Sequence, residues 1–154
     1  MAKTDSTHIF RIGVFGIIEQ NGLVALARRQ DNKWWNLPGG GTEAGESVDE
    51  ALKREIMEEI GIEISIEYIV GVYSKPQKNE VVLTFWCKPR STELFTTEES
   101  IEVGWFDPSQ LPEPILPKHR QRIFDAFQRH EHPVLMSQTS SSAEDQQLPF
   151  GSSK

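Results

Sequence analysis

The segment from Gly40 to Ile62 constrains this chain most, because one short helix must both bury an aliphatic stripe and turn carboxylates toward it. Ser47 and Glu50 form S-x-x-E, a capping box in which each side chain satisfies an orphan amide at the helix start. Asp49 and Glu50 complement the positive end of the helix dipole, and Gly61 can adopt the left-handed conformation that stops a helix. The spacing therefore predicts a helix over Val48–Ile60. At about 100° per residue, Val48, Leu52, Ile56 and Ile60 form one row, widened by Ala51. Glu55 and Glu59 fall close to the directions of Val48 and Leu52, and Glu58 lies one turn from Glu55. These carboxylates sit on or beside the buried stripe, which a solvated acidic face would not do.

Turning ionised carboxylates inward and together is costly through desolvation and mutual repulsion. A hard divalent cation with oxygen ligands is the simplest group to offset that cost. Arg54, placed i, i+4 from Glu58, can pair with one carboxylate and fix its orientation, and Glu46 can reach back to the same cluster. Gly39-Gly40-Gly41 lets backbone approach a ligand without a Cβ in the way. Composition limits what that ligand can be. With 16 basic and 23 acidic side chains the net charge is −7, and no basic cluster offers a face to duplex nucleic acid. An acidic protein can still hold a polyphosphate when metal ions stand between the like charges.

The rest of the chain reads as scaffold. His8 to Glu19 is rich in β-branched and aromatic residues and apolar on both faces in its middle, as in a strand covered on both sides. Asn21-Gly22 favours a tight hairpin turn, after which Leu23 to Arg29 returns as a strand. Trp34 to Leu37 is a short extended piece. Glu63–Lys75, Glu80–Lys88 and Ile101–Phe106 are further strands, with an acidic loop from Pro89 to Ser100. Lys118 to His130 reads as a helix with an apolar stripe of Ile123, Phe124 and Phe127. Residues 1–7 are expected to fray, residues 8–136 to form one domain, and residues 137–154 to be a disordered polar tail. No internal repeats are apparent.

The segment fits G-x5-E-x7-R-E-U-x-E-E-x-G-U, where U is a bulky aliphatic residue. Gly40, Glu46, Arg54, Glu55, Ile56, Glu58, Glu59, Gly61 and Ile62 fill every defined position. In this it resembles the Nudix hydrolases, and the preceding Leu37-Pro38-Gly39-Gly40 is similar to the family's usual lead-in. The resemblance spans roughly residues 8 to 130. It implies an α/β fold, an α/β/α sandwich with a central mixed β-sheet. It also implies hydrolysis of a nucleoside diphosphate linked to another moiety, by water attack at phosphorus. Mg²⁺, sometimes Mn²⁺, would be held by Glu58 and Glu59 with Glu55 close by, joined by a backbone carbonyl of Gly39 or Gly40. Family members place the general base either on the box helix or on a distant loop, and Glu99 resembles the loop glutamate of some MutT-like members. Arg28-Arg29 resemble the family's paired arginines, one of which would contact a substrate phosphate. A solvated charge pair is the alternative there.

Trp34-Trp35 could stack on a nucleobase, or pack beneath the glycine turn. The Lys118-His119-Arg120 helix start could meet a phosphate, or be a solvated terminus. Cys87 sits in an apolar strand and reads as a buried thiol; a lone cysteine excludes an intramolecular disulfide framework. No segment has the layout of a signal peptide and no apolar run approaches the ~20 residues that span a bilayer, so a cytoplasmic location is expected, with no membrane partner. The rival functional reading is a catalytically silent domain of the same family, used to sense nucleotides or bind proteins. Such domains usually lose box glutamates, and this one has lost none. The substrate stays open among nucleoside triphosphates, nucleotide sugars, ADP-ribose and dinucleoside polyphosphates. The oligomeric state is equally open, a homodimer included.

Overall fold

A computed structural model describes residues 9–139. The first long strand, β1 (Arg11–Gln20), is the axis of the molecule. It turns at Asn21 and Gly22, both at positive φ, with the Gly22 amide donating to Glu19 Oε2 at 2.7 Å, into β2 (Leu23–Arg29). Two short pieces follow, β3 (Trp35–Asn36) and β4 (Gly39–Gly41), and then helix α1 (Val48–Ile60). Beyond it come β5 (Ile64–Lys75), β6 (Glu80–Pro89), β7 (Ser100–Phe106), α2 (Pro117–Phe127) and β8 (Val134–Ser137). Residues 1–8 and 140–154, which include the expected N-terminal fray and most of the expected tail, lie outside the described residues.

The sheet is mixed. Parallel pairing joins β1 to β6, from Arg11 opposite Glu80 to Ile18 opposite Cys87, and β5 to β8. Antiparallel pairing joins β1 to β4 and β5 to β6. The end of β1 hands over to β2, which carries β3 and β7 as antiparallel neighbours. Because side chains alternate across a strand, β1 feeds two cores. Val14 and Ile18 join Ala51, Leu52, Ile56 and Ile60 of α1 on one face. Phe15 and Ile17 join Trp35, Tyr73, Trp86 and Ile123 on the other, under α2. This is the α/β sandwich expected from a strand apolar on both faces.

Several boundaries differ from the sequence reading. β1 starts at Arg11, and Ile9 and Phe10 ahead of it are exposed. α2 stops at Phe127, two residues before Arg129 takes a φ of 55°, and so ends short of His130. Its stripe is also rotated. Ile123 and Ala126 are buried, whereas Phe124, about 100° from Ile123, is 59% exposed. The polar tail does not begin at Ser137. Ser137 ends β8, and Gln138 is buried, its amide donating to Ser74 O at 2.8 Å and its side chain bonded to Arg122 and to the carbonyl of Lys118. β8 itself has only four residues, too few for periodicity to reveal.

Candidate metal and phosphate site

α1 forms as its caps dictate. Ser47 and Glu50 make the full reciprocal capping box, and Gly61 closes the helix at φ 70° and ψ 22°. The expected inward tilt of the carboxylates is present: Glu59 is 5% exposed and Glu55 half-buried, while Glu58 stands at the surface. Strand β4 lies directly against them. The Gly39 amide donates to Glu59 Oε2 at 2.9 Å. A Cβ on Gly40 would stand 2.3 Å from Glu55 Oε2, so a glycine is needed for the helix to bring that carboxylate against the backbone.

Arg54 ties the cluster together. Its Nε and Nη2 donate to both oxygens of Glu46, at 2.6 and 3.0 Å, and Nη2 also donates to Gly41 O at 3.1 Å. Nη1 lies 3.2 Å from Glu58 and 3.5 Å from Glu55. The bond from Arg54, helped by the Glu43 amide, holds the Glu46 carboxyl below the usual carboxylate range. The Arg54 guanidinium is raised further above its ordinary value, first by that bond to Glu46.

The acidic loop after β6 supplies the remaining carboxylate. Its Phe95 amide donates to Ile60 O at 2.9 Å and its ring covers Gly61. The Gln30 amide, just past β2, donates to Glu99 O at 2.9 Å. Carboxylate oxygens of Glu55, Glu58 and Glu99 thereby lie within 4.8 Å of one another, from two distant segments. Three carboxylates this close, with a glycine cradle beneath one of them, fit a divalent cation with oxygen ligands. Glu59 falls outside that trio, its carboxylate turned to the Gly39 amide. The trio shares Glu55 and Glu58 with the ligand set expected from the sequence and adds Glu99, while Glu59 lines the cleft beside Glu99. Gly40 borders the trio through Glu55.

A cleft of about 250 Å³ opens beside the trio, lined by Arg29, Asp31, Glu59, Glu98 and Glu99 with Gln30. The two arginines separate here. Arg29 faces the cleft and pairs with Asp31. Arg28, across the register shift from it, donates to Lys33 O at 2.9 Å and meets Glu102 at 3.3 Å. The tryptophans separate too: Trp35 is in the core, edge-on to Phe106 at 4.9 Å, and Trp34 is half-buried. A larger cavity of about 360 Å³, lined by Tyr68, Asp125, Arg129 and His132 among others, shares no residue with the trio.

Two supports escaped the sequence reading. His119 is fully buried, its ring edge-on to Phe15 at 4.8 Å, and its Nδ1 accepts the Leu37 amide at 2.9 Å. It thus holds the lead-in to the glycine turn from behind, so it is no solvated helix terminus; Lys118 beside it is buried as well. Arg122 is 1% exposed, clasped by Gln138 and set over the rings of Phe15 and Tyr73. Burial pulls its guanidinium down to about 10. Only the helical period could have hinted at either: His119, Arg122, Ile123 and Ala126 share one face.

The family model described as NUDIX domain matches residues 7–127. A MutT-like protein of Streptomyces ambofaciens is 33% identical over 126 residues, 81% of this chain and 82% of that protein. An ADP-ribose pyrophosphatase of Methanocaldococcus jannaschii is 34% identical over 108 residues, 66% of this chain and 64% of that protein. Among solved structures, a NUDIX hydrolase from Nitrosomonas europaea superposes with a TM-score of 0.77 at 25% identity, covering 84% of this chain and 79% of that one.

Proposed function

The chain belongs to the Nudix hydrolase family and is a pyrophosphohydrolase of nucleotide diphosphate linkages, and we propose that it works on a nucleoside diphosphate joined to a second group through a divalent cation, Mg²⁺ or Mn²⁺, bound at Glu55, Glu58 and Glu99. The observation that carries this reading is the convergence of those three carboxylates within 4.8 Å, from a helix and a loop some forty residues apart in sequence. An acidic protein with net charge −7 gains nothing from that crowding unless a cation offsets it. A bound cation would neutralise diphosphate charge and acidify water.

The chain's own residues supply the rest. Arg54 orients Glu58 and Glu46 and carries positive charge to the rim of the cluster. Arg29, at the cleft, is the arginine placed to meet a phosphate oxygen, whereas Arg28 is engaged elsewhere. Glu99 has two carboxylate oxygens: one completes the trio, and the other takes the proton of the attacking water. Trp34 offers one half-exposed face for a nucleobase. The silent-domain alternative has no support, since every box glutamate is present and gathered around the glycine turn.

The test is a hydrolysis screen with Mg²⁺ or Mn²⁺ over nucleoside triphosphates, nucleotide sugars, ADP-ribose and dinucleoside polyphosphates. At least one class should release a nucleoside monophosphate only when the metal is present. Tight metal-dependent binding without turnover across the whole panel would overturn the proposal.

A further inference from the structure

We infer that Thr97 is the positioning residue that fastens Glu99 to the box helix and so completes the metal trio. This rests on the reading of Glu55, Glu58 and Glu99 as the metal ligands. Glu99 comes from a loop without regular secondary structure, yet its carboxylate must stay within 4.8 Å of two carboxylates on a helix. A long loop holds such a position only if its backbone is tied down.

The ties are visible, and the one that joins Glu99 to the helix runs through a single hydroxyl. The last carbonyls of a helix have no intrahelical partner. In α1 the Met57 carbonyl receives the Gly61 amide and the Ile60 carbonyl receives the Phe95 amide. The Glu59 carbonyl receives the Thr97 hydroxyl at 3.3 Å. That same Thr97 Oγ1 accepts the Glu99 amide at 3.1 Å. The hydroxyl thus closes a two-bond bridge from the helix backbone, beside Glu58, to the backbone of Glu99. On its other side the Glu99 carbonyl receives the Gln30 amide, so the residue is gripped at both its N–H and its C=O. Of the two grips, only the one through Thr97 depends on a side chain. A further pair of backbone bonds, between Thr97 and Ser100, folds the intervening turn that carries Glu99.

A valine at this position keeps the branched shape and loses the hydroxyl; a serine keeps the hydroxyl and loses a methyl. Outer-shell partners of metal ligands typically change affinity or activity by about 10- to 100-fold when removed. The experiment is calorimetric titration of the intact chain with Mn²⁺ in the absence of nucleotide, for wild type, Thr97→Val, Thr97→Ala and Thr97→Ser, with thermal melts of each. Steady-state kinetics follow on whichever nucleotide is turned over. Thr97→Val and Thr97→Ala should weaken Mn²⁺ binding by about 10-fold or more, lower kcat, leave KM for the nucleotide nearly unchanged, and melt close to wild type. Thr97→Ser should restore most of both. In a Glu99→Gln background, Thr97→Val should bring little further loss, since the carboxylate it positions is already gone.

Wild-type Mn²⁺ affinity in Thr97→Val and Thr97→Ala would overturn the inference, as would the same loss with and without Glu99. A lowered melting temperature with unchanged Mn²⁺ affinity would show a purely structural hydroxyl and overturn it too. Wild-type Mn²⁺ affinity in Glu99→Gln itself would instead contradict the underlying metal trio.

Discussion

The two faces of the sheet are packed by different means. Under α1 the core is aliphatic and small: Val14, Ile18, Ala25, Ala27, Ala51, Leu52, Ile56 and Ile60. All the polar chemistry there is pushed to one edge, where the carboxylates meet β4. Under α2 the core is aromatic and threaded with buried polar groups: Phe15, Trp35, Tyr73 and Trp86 surround His119, Arg122 and Asp125, and Tyr73 donates its hydroxyl proton to Asp125 at 2.9 Å. The first face concentrates its polarity where it can react. The second spends it on holding α2, β8 and the lead-in to the glycine turn in register. The lesson is that the chemistry belongs to α1 while the shape of its glycine cradle depends partly on α2.

The glycine turn gives the sharpest way to break that division. Gly40→Ala drives a Cβ into the Glu55 carboxylate, the movable end of a side chain. The fold should survive, and kcat/KM should fall by about 100-fold or more, because the Glu55 carboxylate is displaced from the trio proposed to hold the metal. Gly39→Ala differs. Its φ is 151° and the new Cβ would lie 2.1 Å from the Val14 carbonyl, which cannot step aside, so this variant should fail to fold. Equal effects of the two substitutions on melting and rate would erase the distinction.

His119 probes the second face. Replacing it with leucine leaves the buried Leu37 amide without its acceptor, costing about 1–3 kcal/mol of stability. A smaller loss of activity should accompany it, as the glycine turn loosens. His119→Asn, which offers a carbonyl oxygen, should recover part of both. A leucine variant as stable as wild type in chemical denaturation would show that α2 does not support the turn.

Glu46 gives the smallest effect and a definite pH signature. Its carboxyl titrates lower in the folded chain than the ordinary value of 4.5, chiefly because Arg54 donates to it. The ionised form is therefore favoured by folding, and the stability it contributes is present above about pH 4.5 and lost as pH falls through the lower folded value. The melting-temperature gap between wild type and Glu46→Gln should be constant through neutral pH and close on acidification. A gap that widens in acid would reverse the assignment.

These two faces also explain what was legible beforehand. α1, its caps and the inward Glu55 and Glu59 could be read because a helix of thirteen residues carries its own period and punctuation. The partner of that helix at Glu99 was visible only through family resemblance. Nothing local in Glu98-Glu99-Ser100 says that Gln30 and Thr97 will bring it to Glu58. The bond from the Gly39 amide to Glu59 was not legible either, because direction along a helix does not reveal which backbone a later-packed strand brings to a carboxylate. The start of α2 was harder still. Lys118-His119-Arg120 looks like a solvated cationic terminus, and only Arg120 is exposed, since a polar core is built from pairs far apart in sequence such as His119 with Leu37 and Arg122 with Gln138. The four-residue β8 shares that fate.

The central claim is that carboxylates of the box helix, together with Glu99, form the metal centre that drives diphosphate hydrolysis. Its most direct test is the rate of nucleoside monophosphate release as Mg²⁺ is titrated, in wild type and Glu58→Gln, on a substrate found by the screen. Wild type should rise from no activity to saturation, and Glu58→Gln should fall several orders of magnitude below it at every Mg²⁺ concentration. Near-normal turnover by Glu58→Gln, or wild-type turnover that persists in excess chelator, would contradict the account.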